Sequence, residues 1–268
     1  MPQSPENYYR PENMDEALTL LAQPDVVALG GGTKLLASES GLSVYGVVDL
    51  QALGLNKIVL EGNLLRIGAT TKLSDLADYL QENLATAVST TLLQKAIKQA
   101  GPNTYRNAAT LGGTIGEGLA DSELLAALLV FDAVLTIEST TTGIVPLTDY
   151  LSQKRIGLIT SIAIQITDGT GCSHRVARTP ADYPIVSITG WQPEGETVRL
   201  AATGIAQRPL RLTDAEAKLK DGLSETAVAA AAQAAKEACT HSGDFRGNTE
   251  YRAEMASVLT RRTLRELV

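Results

Sequence analysis

The sequence predicts an α+β fold in two domains, residues 1–168 and 169–268. A length of 268 residues corresponds to about two average domains. Short apolar strands alternate with helical patterns up to residue 167, whereas an antiparallel set of strands and then helices fill the remainder. The turn-forming stretch Asp168-Gly169-Thr170-Gly171 separates the two patterns and marks the predicted boundary.

Helix and strand signals follow one another closely in the first domain. Asn13, with Glu16 three residues later, is typical of a helix start, and Pro24 ends that helix. Glu61-Gly62-Asn63 separates two apolar runs and predicts a hairpin. The other patterns predict strands at 26–29, 44–50, 57–60, 64–68, 133–139, 143–147 and 158–167, and helices that begin at Thr33 or cover 73–80, 90–100 and 122–131.

The second domain is predicted to contain a three-stranded antiparallel sheet followed by helices. Segments 172–178, 185–192 and 197–202 alternate apolar and polar residues, as the strands of a meander do. An alanine-rich helix is predicted over 224–239. Thr249 is the predicted cap of a final helix whose last turns are rich in arginine, where positive charge suits the helix dipole.

Composition and charge argue against several classes of protein. A net charge of -7 disfavours a nucleic-acid surface. No apolar run approaches the ~18 residues that would span a membrane, and the polar segment 1–10 has no apolar signal core, so we expect a cytoplasmic protein. With only two cysteines and two histidines, we expect neither a disulfide, nor a zinc site, nor a protein-held iron–sulfur cluster.

A first glycine cluster, Leu29-Gly30-Gly31-Gly32-Thr33-Lys34-Leu35, follows a predicted strand. Consecutive glycines can adopt positive φ and direct several N–H groups at one anion. A helix start directly after the cluster would add the favourable end of its dipole. Neither the Rossmann nor the Walker pattern is matched, and a simple tight turn explains these residues equally well.

A second glycine cluster lies at 106–115 and is predicted to be a loop. Gly112-Gly113 lies between the hydroxyl groups of Thr110 and Thr114. Two such loops in one domain fit a diphosphate held from both sides, as in a dinucleotide. Two unrelated turns are the alternative interpretation of the same residues.

Both clusters resemble those of the flavin-binding (medium) subunit of molybdenum hydroxylases, the family of carbon monoxide and xanthine dehydrogenases. The family's first loop reads A-G-G-T or a close variant, and its second reads R-N-x-A-T-[IL]-G-G, which 106–113 keeps as Arg-Asn-Ala-Ala-Thr-Leu-Gly-Gly. Arg10-Pro11, Glu250-Tyr251-Arg252 and 258–262 are similar too, so the resemblance covers nearly the whole chain. It implies a two-part FAD-binding domain of the MurB/vanillyl-alcohol-oxidase-like type, with two α+β lobes, followed by the smaller α+β domain.

The resemblance implies that FAD is the cofactor. The backbone amides of 29–35 would wrap the diphosphate, and the second cluster would take its other side. Tyr183, in an Asp-Tyr-Pro stretch, would lie near the isoalloxazine ring, unless it is a core tyrosine at a sheet edge. The expected cofactor-binding residues are Leu29, Gly30, Gly31, Gly32, Thr33, Lys34, Leu35, Ala100, Thr110, Gly112, Gly113, Thr114, Glu123, Leu158, Ile159 and Tyr183.

The chain departs from the family pattern just after the second cluster. Thr114 replaces an asparagine, and Glu123 stands where an aspartate would hold a ribose or adenine group. Glu117 and Asp121 add negative charge beside the expected diphosphate, which weakens binding unless they point away. His174 stands where a lysine is common near the flavin, although a strand histidine that faces solvent is an equally simple interpretation.

The function that the resemblance implies is an FAD-binding electron-transfer subunit, an oxidoreductase component with no catalytic acid–base pair of its own. Electrons would arrive singly from a [2Fe–2S] small subunit and leave as a pair to NAD⁺ or another acceptor. A molybdopterin large subunit of the same hetero-oligomer would hydroxylate the substrate. The alternatives are a freestanding FAD-dependent oxidoreductase and a scaffold paralogue that has lost FAD, which the acidic residues at 117, 121 and 123 motivate.

Overall fold

A computed structural model describes residues 5–36, 44–85, 87–139, 142–153 and 157–267. The strands are β1 (Asn7–Tyr9), β2 (Val26–Leu29), β3 (Gly46–Asp49), β4 (Ile58–Glu61), β5 (Leu64–Gly68), β6 (Val134–Glu138), β7 (Gly143–Pro146), β8 (Leu158–Gln165), β9 (Gly169–Val176), β10 (Val186–Pro193), β11 (Arg199–Thr203) and β12 (Leu210–Arg211). The helices are α1 (Met14–Leu21), α2 (Leu73–Asn83), α3 (Val88–Gln99), α4 (Asn103–Arg106), α5 (Leu111–Glu117), α6 (Glu123–Val130), α7 (Leu147–Ser152), α8 (Thr213–Ala217), α9 (Glu225–Glu237) and α10 (Thr249–Glu266).

The first lobe is a three-stranded parallel sheet in the order β1-β3-β2, on which α1 packs. Asn13 caps α1 as predicted, because its side-chain oxygen accepts a hydrogen bond from the Glu16 N–H at 3.0 Å. The strand predicted over 44–50 is confirmed as the shorter β3. The helix predicted from Thr33 is wrong for 33–36, which form a turn, while 37–43 lie outside the described residues.

The second lobe is an antiparallel sheet in the order β4-β5-β8-β6-β7, and it confirms the predicted hairpin and the predicted pair β6 and β7. Helix α6 packs against α3 and against strand β10 of the second domain, and every one of its residues is buried. Ser122 caps α6, because its hydroxyl oxygen accepts from the Leu125 N–H at 3.4 Å. A helix without a polar face is stable only when protein surrounds it, so α6 lies at the centre of the molecule.

The predicted antiparallel meander is confirmed by β9, β10 and β11, and the short strand β12, which was not predicted, extends the sheet to four strands. The alanine-rich helix is confirmed as α9. Asn248, rather than Thr249, caps α10: its backbone is extended and its side chain accepts from the Tyr251 N–H at 2.9 Å. The Thr249 hydroxyl instead donates to the His241 carbonyl at 2.9 Å, so Thr249 is not available as the cap.

One hydrophobic core joins the two predicted domains. Trp191 of β10 is fully buried within the core that also contains α6, and its ring meets the Phe131 ring edge-on at a centroid distance of 5.2 Å. Helix α6 also contacts β11. The core therefore holds the second domain firmly against the cavity-bearing first domain. Within the described residues, no helix combines the length and apolar character that crossing a bilayer requires.

Candidate functional site

A cavity of about 560 Å³ lies between the loop after β2, helix α5 and the start of β8. This volume is within the range typical of small-molecule and cofactor pockets, about 300–1,000 Å³. Thirteen of the expected cofactor residues line it: Leu29, Gly30, Gly31, Gly32, Thr33, Lys34, Leu35, Thr110, Gly112, Gly113, Thr114, Leu158 and Ile159. The fold therefore brings the two glycine clusters together in the wall of one cavity.

The first cluster offers the cavity several unused backbone donors. In the part of the chain that the structure describes, the N–H groups of residues 31–34 donate to no protein acceptor. All four residues line the cavity and are half-buried. Buried or half-buried N–H groups normally have a partner, so a row of free donors in a cavity wall indicates an anionic or carbonyl-bearing ligand.

Two of the glycines in the first cluster are required by contact between the clusters. A Cβ atom at Gly31 would lie 1.9 Å from the carbonyl oxygen of Ala108, and one at Gly30 would lie 2.6 Å from the Thr110 hydroxyl oxygen. Gly32 adopts a φ of +70°, which L-residues rarely do. The loop can therefore lie directly on the second cluster only because these side chains are absent.

The predicted loop is correct only for 107–110, which join the short helix α4 to α5, whereas 111–115 form most of α5. Thr110 caps α5, since its hydroxyl oxygen accepts from the Gly113 N–H at 3.1 Å. The N–H groups of Leu111 and Gly112 donate to the carbonyls of Thr71 and Ala69 at 2.9 Å and 2.8 Å. Glycines disfavour helices, but this cap and the burial of Leu111 and Ile115 on one helix face outweigh that preference.

Lys34 links the cavity to the second domain. Its ammonium nitrogen lies 5.9 Å from the centroid of the Tyr105 ring and 5.7 Å from that of Tyr183, within the range of cation–π attraction. The Tyr183 hydroxyl donates to the Ala100 carbonyl at 3.4 Å. Ala100 and Tyr183 thus meet beside the cavity rather than in its wall. Burial raises the pKa of both tyrosines, so their hydroxyls stay protonated at neutral pH.

Glu123, the third expected residue outside the cavity wall, is the first residue of α6 and is 5% exposed. Its carboxylate lies 3.0 Å from the Arg175 guanidinium, but neither oxygen has an aligned hydrogen bond. Burial raises its pKa to about 7, against the opposing effect of Arg175. Asp121 is paired with Arg246 at 2.9 Å, whereas Glu117 lies in the cavity wall.

His174 does not lie near the cavity, which excludes the interpretation that placed it beside the flavin. It is not among the residues that line the cavity. Its Nε2 lies 3.1 Å from a Glu266 carboxylate oxygen, and its Nδ1 lies 3.3 Å from the Thr263 hydroxyl oxygen. Strand β9 turns this side chain toward α10, so it supplies no charge to the cavity.

Several cavity residues were not predicted from the sequence: Ala28, Leu50, Ala69, Thr70, Tyr105, Ala109, Gly116, Glu117, Leu119, Tyr150 and Gly157. Tyr105 and Ala109 belong to or adjoin the second cluster and could have been found by treating it as a helix start. Tyr150 and Gly157 carry no local signal, because only the tertiary fold brings α7 and the start of β8 to the cavity.

Two family models match the chain in order: the FAD-binding domain in molybdopterin dehydrogenase at residues 4–164, and the C-terminal domain of the CO dehydrogenase flavoprotein at residues 177–267. The chain belongs to this family. Its cofactor is therefore FAD, and it is an oxidoreductase subunit of the molybdenum hydroxylase type. The overall fold agrees with the predicted FAD-binding domain followed by a smaller domain with an antiparallel sheet and C-terminal helices.

Several related proteins match this chain over almost its full length. The uncharacterised protein YgfM of Escherichia coli K12 is 29% identical, with 95% of this chain and 93% of that protein covered. The glyceraldehyde dehydrogenase medium chain of Sulfolobus acidocaldarius is 26% identical, with 97% and 98% covered. A solved carbon monoxide dehydrogenase of Hydrogenophaga pseudoflava, which lacks the Mo-pyranopterin moiety, superposes with a TM-score of 0.88 at 25% identity and covers 100% of this chain and 98% of that one.

The residues present fit FAD. The free N–H groups of 31–34 suit a diphosphate, and the Lys34 ammonium adds positive charge beside them. A side chain at Gly116 would meet no protein atom within 4 Å, so this face of α5 leaves open space for a ligand. Buried Leu158 and Ile159 supply apolar contact surface of the kind that ring systems bind.

Proposed function

We propose that this flavoprotein subunit passes electrons from a [2Fe–2S] partner subunit to NAD⁺ or another acceptor. The observation that supports the proposal most directly is the row of unused N–H groups at 31–34 in a cavity of FAD-binding type. Bound FAD supplies the redox chemistry, since a flavin exchanges electrons singly or in pairs. The protein's part is to bind and orient the cofactor and to exclude competing reactions.

Different residues of the cavity would have different roles in binding FAD. The N–H groups of 31–34 would hold the diphosphate, and Lys34 would offset its charge. Gly112 and Gly113 would let the cofactor lie close to the backbone. They would not donate hydrogen bonds to it, because their N–H groups already donate to Ala69 and Thr110. Tyr183, at the edge of the cavity and 39% exposed, would limit what reaches the ring system from the second domain.

We further propose that the chain works in a hetero-oligomer in the cytoplasm. Related proteins are the medium chains of glyceraldehyde and carbon monoxide dehydrogenases, a designation that implies additional subunits. A [2Fe–2S] small subunit and a molybdopterin large subunit are the proposed partners, with substrate hydroxylation on the large one. Cys172 and Cys239 are free thiols, as is usual in a reducing compartment.

The test is to purify the tagged chain from the cells that make it and to analyse the product for FAD, iron and molybdenum. We expect about one FAD per chain, with iron and molybdenum that co-purify. Anaerobic addition of NADH should bleach the flavin and reduce the iron–sulfur centre, which electron paramagnetic resonance detects. If NADH fails, the same assay with the reduced forms of other acceptors, quinols and reduced dyes, identifies the acceptor class.

Two results would favour the alternatives. Rapid turnover of NAD(P)H by the chain alone, without iron or molybdenum, would indicate a freestanding FAD-dependent oxidoreductase. A chain that neither contains nor takes up FAD would indicate the scaffold paralogue. The structure weakens the motive for the second alternative, because Asp121 and Glu123 are paired with Arg246 and Arg175 and do not line the cavity.

A further inference from the structure

A cluster of three metal-binding side chains lies between β9 and the end of α10, apart from the residues that line the FAD cavity. Cys172 and His174 are two residues apart on β9 and therefore project from the same face of the strand. Glu266 is the last residue of α10. A sulfur, a ring nitrogen and a carboxylate oxygen from these residues all lie within 4.8 Å of one another.

We propose that Cys172, His174 and Glu266 bind a Zn²⁺ ion. Thiolate, imidazole and carboxylate are the protein ligands that zinc prefers, and three of them leave a fourth position for water. Zinc–ligand distances of about 2.0–2.3 Å place the ligand atoms of a tetrahedral site roughly 3.3–3.8 Å apart. The separation of 3.1 Å between His174 Nε2 and the Glu266 carboxylate is already close to this range, and the limit of 4.8 Å on the other separations leaves at most about 1 Å to close.

His174 already has a hydrogen-bond partner of the kind that orients zinc-bound histidines. A zinc-bound histidine normally donates its other ring N–H to a fixed acceptor, which sets the tautomer. Here Nδ1 lies 3.3 Å from the hydroxyl oxygen of Thr263, a fully buried residue. Nε2 faces Glu266 at 3.1 Å and is the nitrogen left for the metal.

Charge and access also suit a divalent ion. Cys172 is 6% exposed, and its thiol donates a weak hydrogen bond to the Thr263 carbonyl at 3.4 Å. Zinc binding would break only this one weak bond of the thiol. A thiolate and a carboxylate would neutralise Zn²⁺. Lys95 of α3 carries a positive charge that would repel the ion. Its ammonium group donates a hydrogen bond to the Ser173 carbonyl at 2.9 Å. The exposed side of His174 and Glu266 provides the route of entry. Bound zinc would tie the end of α10 to β9.

The experiment uses the full chain after treatment with a chelator, and it exploits the fact that the sequence contains just two cysteines. Co²⁺ is added as a spectroscopic probe, and Zn²⁺ retained after dialysis is measured by elemental analysis. We expect a thiolate-to-cobalt charge-transfer band and about one Zn²⁺ per chain. Cys172→Ser should abolish both, whereas the matched variant Cys239→Ser should keep both.

Two further variants guard against a folding defect. Glu266→Gln changes an exposed side chain and should weaken zinc affinity by at least about tenfold. Thr263→Val removes the hydroxyl that faces His174 Nδ1 and should weaken zinc affinity by about ten- to a hundredfold. FAD content should be the same in all variants, so the result is independent of the proposed function. Absence of a charge-transfer band in the wild type, or equal zinc retention by Cys172→Ser, would overturn the proposal.

Discussion

The two glycine clusters look alike in sequence but have different roles in the structure. The cluster at 30–34 is an irregular loop whose backbone donors are unused, and its glycines are needed where it touches its neighbour. In the second cluster, Thr110 caps a helix whose N–H donors at 111–113 are satisfied, and Gly116, directly after the cluster, faces open space. Glycine in the first case permits contact between backbones, whereas at Gly116 it leaves room for the cofactor.

The Thr110 hydroxyl is the point at which the clusters meet. It caps α5 through Gly113, and Cβ atoms at Gly30 and Gly113 would come within 2.6 Å and 2.8 Å of it. We therefore expect substitutions at Gly30 and Gly31 to damage both the fold and cofactor binding. Substitutions at Gly116 should affect cofactor binding alone.

The largest effect is expected for Gly31→Ala. Its new methyl group would lie 1.9 Å from the Ala108 carbonyl oxygen, so the loop must move away from the backbone at Ala108. We expect a loss of about 3 kcal/mol in the free energy of unfolding and a loss of bound FAD. Urea unfolding with flavin absorbance measures both, and Gly116→Ala is the control. A Gly31→Ala chain with wild-type stability would show that the clusters can separate freely.

Gly116→Trp should remove FAD without unfolding the protein. The indole would fill open space in the cavity, and tryptophan is a better helix former than glycine. We expect FAD affinity to fall by about a hundredfold, or roughly 2.7 kcal/mol, at an unchanged melting temperature of the FAD-free chain. Gly143→Trp, another glycine with open space but outside the cavity, should bind FAD normally. Undiminished flavin content in Gly116→Trp would exclude this cavity as the FAD site.

Thr110→Val tests the capped helix start. Loss of the hydroxyl leaves the Gly113 N–H without its acceptor, and the free energy of unfolding should fall by about 1 kcal/mol. Thermal unfolding of the FAD-free chain measures this change. Thr114→Val is the matched control, because that hydroxyl only bonds the Thr110 carbonyl within the same helix. If both variants lose equal stability, the cap has no special importance.

Lys34→Met should have the smallest effect, since the ammonium group contributes charge and cation–π contacts at a half-buried position. We expect FAD affinity to decrease by about two- to fivefold. Fluorescence titration with FAD at two salt concentrations measures it, and the salt dependence should be smaller in the variant. Lys98→Met, on α3 and outside the cavity lining, is the control, and an equal decrease there would rule out a local role for Lys34.

Most of the fold could be predicted because its signals are local. Asn13 and Ser122 are helix caps, the Glu61-Gly62-Asn63 turn joins β4 and β5, and alternation marks β9 to β11. The errors occurred where local preference loses to packing. The Gly112-Gly113 pair weakened the helical signal of α5, and the two-residue strand β12 is too short to have a pattern.

The sequence by itself determined the family, the order of the elements and thirteen residues of the cavity wall, because these depend on motifs and on spacing along the chain. Only the tertiary structure decided which N–H groups are free, where His174 and Glu123 lie, and that Cys172, His174 and Glu266 converge. The low number of cysteines and histidines argued against zinc, but a count cannot reveal a carboxylate brought in by a distant helix. Such facts depend on distances between elements remote in the chain, which side-chain packing alone sets.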